Sequence, residues 1–97
     1  METPVYKYQL GLYGGCLSLP RDSQLLTVCV QYGRPVLYVK MGTASTCELI
    51  ISSCGTGYSP SLKGAYIGTA MLENGTLVVH YFAAWRDDKK ASESTLR

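Results

Sequence analysis

The dipeptide Asn74-Gly75 lies between two runs of residues that favour β-strands, and it constrains the fold more than any other feature of the chain. The run before it spans residues 65–72, and the run after it spans residues 76–82. Asn-Gly accepts positive φ at both central positions of a type I′ turn, whose twist matches that of two antiparallel strands. We therefore predict a β-hairpin with Asn74 and Gly75 at its tip.

Short β-prone segments separated by turn residues run through the rest of the chain. Their apolar and polar residues alternate with a period of two, most clearly in two segments joined at Gly33-Arg34-Pro35. Residues 76–82 are apolar on both faces, which predicts a central place in a sheet. Before the final hairpin we predict a loop over residues 53–64 and strands over residues 5–12, 16–19, 24–32, 36–41 and 46–52.

About seven short strands with regular turn signals are typical of an all-β protein. The pattern leaves two architectures open, a compact antiparallel β-sandwich and a partly open barrel. A chain of 97 residues is long enough for one domain, which we place at residues 1–85. Residues 86–97 are mostly charged, with both signs represented, and are expected to form either a frayed tail or a short solvated helix.

Charge and composition exclude several classes of partner. The formal net charge is +2, and the lysines and arginines are scattered along the chain, so we expect no nucleic-acid partner. The amino terminus lacks the pattern of a signal peptide, and no apolar run is long enough to span a membrane. We therefore expect a soluble, intracellular protein without a membrane partner.

Residues that could bind a metal or act in catalysis are few and dispersed along the chain. The spacing of the four cysteines does not match a metal site, and a single histidine, His80, cannot complete one. His80 lies in the middle of a predicted strand, where a hydrogen-bonded core or interface residue is the usual case. No catalytic set surrounds it, so we expect neither an enzyme nor a cofactor.

A glycine-rich segment, Gly55-Thr56-Gly57, precedes the final hairpin. It lacks the following Lys-Ser/Thr and the helix of a phosphate-binding P-loop. Two interpretations remain, a backbone nest that binds an anion and a simple turn between strands. Eight tyrosines accompany it in the chain, and such side chains suit subunit interfaces or stacking on a ligand.

The motifs Tyr6-Lys7-Tyr8, Gly55-Thr56-Gly57 and Tyr66-Ile67-Gly68-Thr69, together with residues 77–82, resemble a family of short tailed-phage proteins of unknown function. The resemblance covers most of residues 5–83. The chain departs from that pattern in Tyr58-Ser59 before Pro60, where a His-Pro pair is common, and in Tyr38, where tryptophan is usual. None of the shared motifs is a catalytic signature.

The resemblance implies a bacteriophage protein that acts in the host bacterial cytoplasm. It suggests an oligomeric, non-enzymatic binding protein that sequesters a nucleotide-derived immune signal, such as a cyclic dinucleotide or an ADP-ribose derivative. The expected ligand-binding residues comprise stacking tyrosines, one cation, the glycine-rich loop and a ribose-binding threonine: Tyr6, Tyr8, Tyr66, Lys7, Gly55, Thr56, Gly57 and Thr69. The alternative is a virion-associated or host-takeover interaction module, and an enzyme that cleaves such a signal comes third.

Overall fold

The computed structural model describes residues 3–60 and 64–86. Seven strands lie within them: β1 (Val5–Gln9), β2 (Gly15–Pro20), β3 (Gln24–Gln31), β4 (Arg34–Lys40), β5 (Thr46–Gly55), β6 (Ala65–Leu72) and β7 (Leu77–Trp85). They form two antiparallel sheets, one of three strands in the order β1-β4-β3 and one of four strands in the order β2-β5-β7-β6. The predicted all-β class is confirmed, and within the described residues the strands do not close into a barrel.

The core lies between the two sheets. Strand β7 lies between β5 and β6, as its two apolar faces predict. Its residues Val79, Tyr81 and Ala83 are buried, whereas His80 and Phe82 alternate with them and are only half-buried. Opposite them, the core receives Leu37 and Val39 from β4, both without exposed surface. The inward faces of both central strands therefore form the apolar interior.

The two sheets approach each other most closely where β3 and β6 meet. A Cβ atom on Gly68 would lie 2.6 Å from the Cβ of Val28, so only glycine fits between these strands. Both strands are also irregular here, because the pairing register shifts between Leu25 and Thr27 in β3 and between Tyr66 and Gly68 in β6. Such bulges bend strands, which brings these two edges together.

The predicted pairing of β3 with β4 is present, and Gly33 lies in the turn between them. The rest of the predicted connection is wrong, because the turn consists of Tyr32 and Gly33, whereas Arg34 and Pro35 belong to β4. Gln31 pairs with Arg34, and the two turn residues have φ of 53° and 75°. Positive φ at both positions is the type I′ geometry that fits the twist of a hairpin. Pro35 instead lies buried in β4, where its carbonyl accepts a hydrogen bond from the Leu10 amide at 2.9 Å.

The β6–β7 hairpin has Asn74 and Gly75 at its tip, as predicted, but the tight two-residue turn is wrong. Leu72 pairs with Leu77, which leaves a loop of four residues. Glu73, Asn74 and Gly75 have φ of 50°, 57° and 87°. The Thr76 amide and hydroxyl both donate to the Glu73 carbonyl, at 3.1 and 2.7 Å, and these bonds stabilise the wider loop.

Strand β5 is longer than predicted and β1 is shorter. Residues Ser53, Cys54 and Gly55 were expected in a loop, but they pair with Tyr81, His80 and Val79 of β7. The long central strand β7 supplies enough partners to extend β5. Strand β1 ends at Gln9, because the chain then leaves the three-stranded sheet towards β2 in the other sheet.

The charged segment beyond Arg86 lies outside the described residues, as do residues 61–63 of the predicted loop. Arg86 itself forms an ion pair with Glu48 of β5. In the part of the chain that the structure describes, no helical segment has the length and apolar character that crossing a membrane requires.

Candidate ligand-binding site

A cavity of about 460 Å³ lies at the end of β5 and the beginning of β7. The loop after β1 contributes Tyr13 to its lining, and the turn after β5 contributes Tyr58. These two side chains are 93% and 77% exposed. Two accessible phenol rings beside a cavity of this size provide the surface on which a planar ligand can stack.

The glycine-rich segment forms the turn beside this cavity. The Tyr58 amide donates to the Gly55 carbonyl at 3.1 Å, and Gly57 has φ of 94°. Positive φ at the third position is characteristic of a type II turn. A Cβ on Gly57 would meet no atom within 4 Å, so Gly57 is required by its backbone conformation and not by close packing. The simple-turn interpretation therefore accounts for its glycine.

Four polar side chains form a hydrogen-bonded chain across the outer face of the four-stranded sheet. The Thr56 hydroxyl lies 2.8 Å from Nε2 of His80, and the Thr69 hydroxyl lies 2.9 Å from Nδ1 of the same ring. The Tyr66 hydroxyl continues the chain at 2.5 Å from Oγ1 of Thr69. The structure thus brings together three predicted site residues, Thr56, Tyr66 and Thr69, through His80.

His80 was not among the predicted ligand-binding residues, although the register of the final hairpin indicates its position beside Thr69. Any hairpin loop centred on Asn74-Gly75 places Thr69 opposite His80, and this pairing is observed. Cys54, on the other side of His80 in the sheet, was also missed and lines the cavity. The sequence shows no sign of this role, because its pattern places Cys54 in a loop.

The predicted residues on β1 lie elsewhere in the fold. Lys7 donates from Nζ to Oε1 of Gln31 at 2.7 Å, on the outer face of the three-stranded sheet. Tyr8 points to the opposite face, and its hydroxyl donates to Sδ of Met41 at 3.7 Å. Tyr6 lies on the same face as Tyr8 and is 52% exposed. Within one copy of the chain, the structure does not bring these residues together with Gly55, Thr56 and Gly57.

Asp22 and Tyr81 have shifted pKa values, and neither residue lines the cavity. Hydrogen bonds from the amides of Ala44 and Thr43 lower the pKa of Asp22, which fixes the loop between β4 and β5. Burial raises the pKa of Tyr81, whose hydroxyl donates to the Gly11 carbonyl at 3.0 Å. Within residues 3–60 and 64–86, no group of three or more His, Cys, Asp or Glu side chains is arranged to hold a metal ion.

Comparison with known proteins gives one relationship. No curated protein and no solved structure matches the chain. A family model described as a domain of unknown function, DUF7352, matches residues 1–92. Since this match covers almost the whole chain, the protein belongs to the DUF7352 family.

Proposed function

We propose that this protein binds and sequesters a small phosphorylated nucleotide, such as a cyclic dinucleotide or an ADP-ribose derivative, without converting it. The observation that carries the proposal is the cavity of about 460 Å³ between Tyr13 and Tyr58, beside the Gly55-Thr56-Gly57 turn. A base stacks on exposed phenol rings, and hydroxyl and amide groups bind ribose and phosphate oxygens. Ser53 and Ser59 also line the cavity and supply hydroxyl groups.

The arrangement of His80 favours binding over catalysis. Its two ring nitrogens are each hydrogen-bonded to a threonine hydroxyl, so a substrate has to displace Thr56 or Thr69 to reach them. A general base needs a nitrogen within hydrogen-bond reach of the proton that it removes. In our proposal His80 instead connects the turn after β5 to β6, and this connection holds the shape of the cavity.

The biological setting follows from the resemblance to short tailed-phage proteins. In this setting the protein acts in the host bacterial cytoplasm, where an abundant binding protein lowers the free concentration of an immune signal. Sequestration requires only affinity and a sufficient amount of protein, with no chemical step. The proposed assembly is a homo-oligomer, and neither nucleic acid nor a membrane is a partner.

The proposal is tested by recovering the ligand. Purified protein is incubated with a panel of cyclic dinucleotides and ADP-ribose derivatives, separated from unbound ligand, heat-denatured and analysed by mass spectrometry. We expect release of one intact nucleotide. Release of a cleaved product identifies an enzyme instead, and failure to bind any member contradicts the proposed class of ligand.

Two variants locate the site. Tyr58→Ser and Tyr13→Ser each remove a phenol ring beside the cavity, and we expect each to weaken binding by about tenfold, since base–aromatic stacking contributes roughly 1–3 kcal/mol. Tyr6→Ser is the matched control, because Tyr6 is 52% exposed and lies on β1, outside the lining of the cavity. Equal weakening in all three variants contradicts a site at the cavity.

A protein-interaction module is the second candidate, and the exposure of large apolar side chains favours it. These residues occur on both sheets and include Val5, Tyr6, Tyr66 and Met71, each at least 52% exposed. Tyrosine and methionine are enriched at protein interfaces. A pull-down from infected cells that yields a stoichiometric phage or host protein, with no nucleotide bound, supports this candidate.

A further inference from the structure

The outer face of the three-stranded sheet carries two cations held by neutral partners. Lys7 donates to Oε1 of Gln31 at 2.7 Å, and Nη1 of Arg34 lies 3.4 Å from Oε1 of Gln9. Lys7 and Arg34 are far apart in the sequence, but the pairing of β1 and β3 with β4 places them on one face. An amide orients a cation without cancelling its charge.

The three strands of this sheet contribute cations but no carboxylates of their own. Strands β1, β3 and β4 contain Lys7, Arg34 and Lys40 but no aspartate or glutamate. Lys7 and Arg34, whose hydrogen-bond partners are neutral amides, keep their charge at the surface, where an anion can approach them. This differs from Arg86, which follows β7 and forms an ion pair with Glu48.

A depression of about 440 Å³ lies between these side chains. Lys7 and Arg34 line it together with both glutamines, Val36 and Tyr32. Val36 is buried. Tyr32 is 93% exposed, and its backbone lies in the type I′ turn with φ of 53°. The depression thus combines cations, amide groups that can also donate, and an aromatic ring, within the roughly 300–1,000 Å³ typical of ligand sites.

We propose that this depression is a binding site for the diphosphate group of a small ligand. Arg34 presents a planar donor set to one phosphoryl group, and Lys7 provides a point charge for the second. Gln9 and Gln31 turn their amide groups to donate to the remaining oxygens once the cations bind phosphate. Tyr32 stacks on the base of a nucleoside diphosphate.

This site is independent of the cavity beside Gly55-Thr56-Gly57. The two are lined by different residues on different sheets, so either proposal can fail without the other. It also restores a phosphate-binding role to Lys7, which does not reach the glycine-rich turn of its own chain. Tyr58→Ser distinguishes the two sites, because it affects the cavity but not the binding of pyrophosphate to the depression.

The test measures binding of inorganic pyrophosphate, ADP and adenosine by titration calorimetry at low and moderate salt. We expect pyrophosphate and ADP to bind, ADP more tightly because of Tyr32, and adenosine to bind at least about tenfold more weakly than ADP. The variants Lys7→Gln and Arg34→Gln should each weaken pyrophosphate binding by about tenfold, whereas Tyr32→Asn should weaken only ADP binding. Circular dichroism establishes that each variant is folded.

Lys40→Gln is the matched control, since it removes the same charge from β4 outside the depression. At moderate salt we expect it to leave pyrophosphate binding within about twofold of the unsubstituted protein. Lys40 and Arg34 lie at opposite ends of β4, and charges more than about 10 Å apart are largely screened at 0.1 M salt. Equal weakening by all three charge substitutions shows non-specific attraction and overturns the proposal. Absence of pyrophosphate binding overturns it too, as does an oligoribonucleotide that binds more tightly than ADP and depends equally on Lys40.

Discussion

At the scale of single residues, Tyr81 connects the core to the loop that follows β1. Its side chain has no exposed surface, and its hydroxyl donates to the Gly11 carbonyl at 3.0 Å. We predict that Tyr81→Phe lowers the free energy of unfolding by roughly 1–2 kcal/mol, because it leaves this carbonyl without its donor while keeping the packed ring. Urea denaturation measures the loss. Tyr32→Phe, at a 93% exposed position, should change stability by less than about 0.5 kcal/mol.

Tyr81 also predicts a response to alkaline pH. Burial raises its pKa in the folded protein, whereas the unfolded chain ionises near the ordinary value of 10.0. Its contribution to stability is therefore fully present below that pH and is lost as the pH rises through the folded pKa. The melting temperature of Tyr81→Phe should fall less steeply above pH 10 than that of the unsubstituted protein. Parallel curves contradict this assignment.

Asp22 predicts the opposite response, at acidic pH. The amides of Ala44 and Thr43 lower its pKa, so its contribution to stability is present above the ordinary value of 3.8 and is lost as the pH falls through the lowered folded pKa. We predict that Asp22→Asn lowers the melting temperature at pH 7 and that the difference disappears towards pH 2. Thermal melts across this range measure it. A difference that persists at low pH shows that the carboxylate charge is not the cause.

At the scale of elements, two glycines with positive φ distinguish the energetic cost of backbone strain from that of close packing. A Cβ added to Gly57 would meet open space, whereas a Cβ on Gly68 would lie 2.6 Å from Val28 across the two sheets. We predict that Gly57→Ala costs about 1 kcal/mol from backbone strain alone. Gly68→Ala should cost about 2–4 kcal/mol, because β3 and β6 must also separate. Chemical denaturation of both variants measures the difference, and equal costs contradict the close approach of the sheets.

Local sequence patterns predicted most of the strands, but not the shifts in pairing register. Alternation and turn residues located seven strands and placed Asn74-Gly75 at a hairpin tip. The β3–β4 turn was misplaced because Pro35 resembles a turn residue, although Tyr32-Gly33 supplies the two positive φ values. The bulge between Tyr66 and Gly68 lies where Gly68 closely approaches Val28 of the other sheet, and no local pattern contains a contact between sheets.

In the candidate site too, some contacts could be predicted from local sequence patterns and others could not. Thr69 and His80 are neighbours by hairpin register, so their contact was within reach of sequence reasoning. Sequence reasoning could not predict that Lys7 lies apart from Gly55-Thr56-Gly57, because this separation depends on which sheet each strand joins. Strand β1 pairs with β4 in the three-stranded sheet, whereas β5 pairs with β2 and β7 in the four-stranded sheet. Pairings this far apart in sequence are decided by packing of the whole chain.

At the scale of the whole molecule, the open edges of the sheets predict association. In the described part of the chain, β2 pairs only with β5, so its other edge presents unpaired amide and carbonyl groups. Strand β1 is also an edge, but its outward Lys7 opposes edge-to-edge pairing, whereas β2 carries no charge. We therefore predict a two-fold dimer in which β2 pairs with its copy.

Light scattering coupled to gel filtration at micromolar concentration should return twice the 10.6 kDa mass of the chain. Ser18→Lys should convert this dimer to a monomer, because it places two ammonium groups at the shared edge, and it should keep the fold because Ser18 is exposed opposite Glu48. Gln24→Lys, which adds the same charge at an exposed position of β3, should remain dimeric.

A monomer in the unsubstituted protein contradicts the prediction outright. A dimer that persists in Ser18→Lys places the interface elsewhere, and the exposed Val5 and Tyr6 of β1 then become the surface to substitute, since each is 52% exposed.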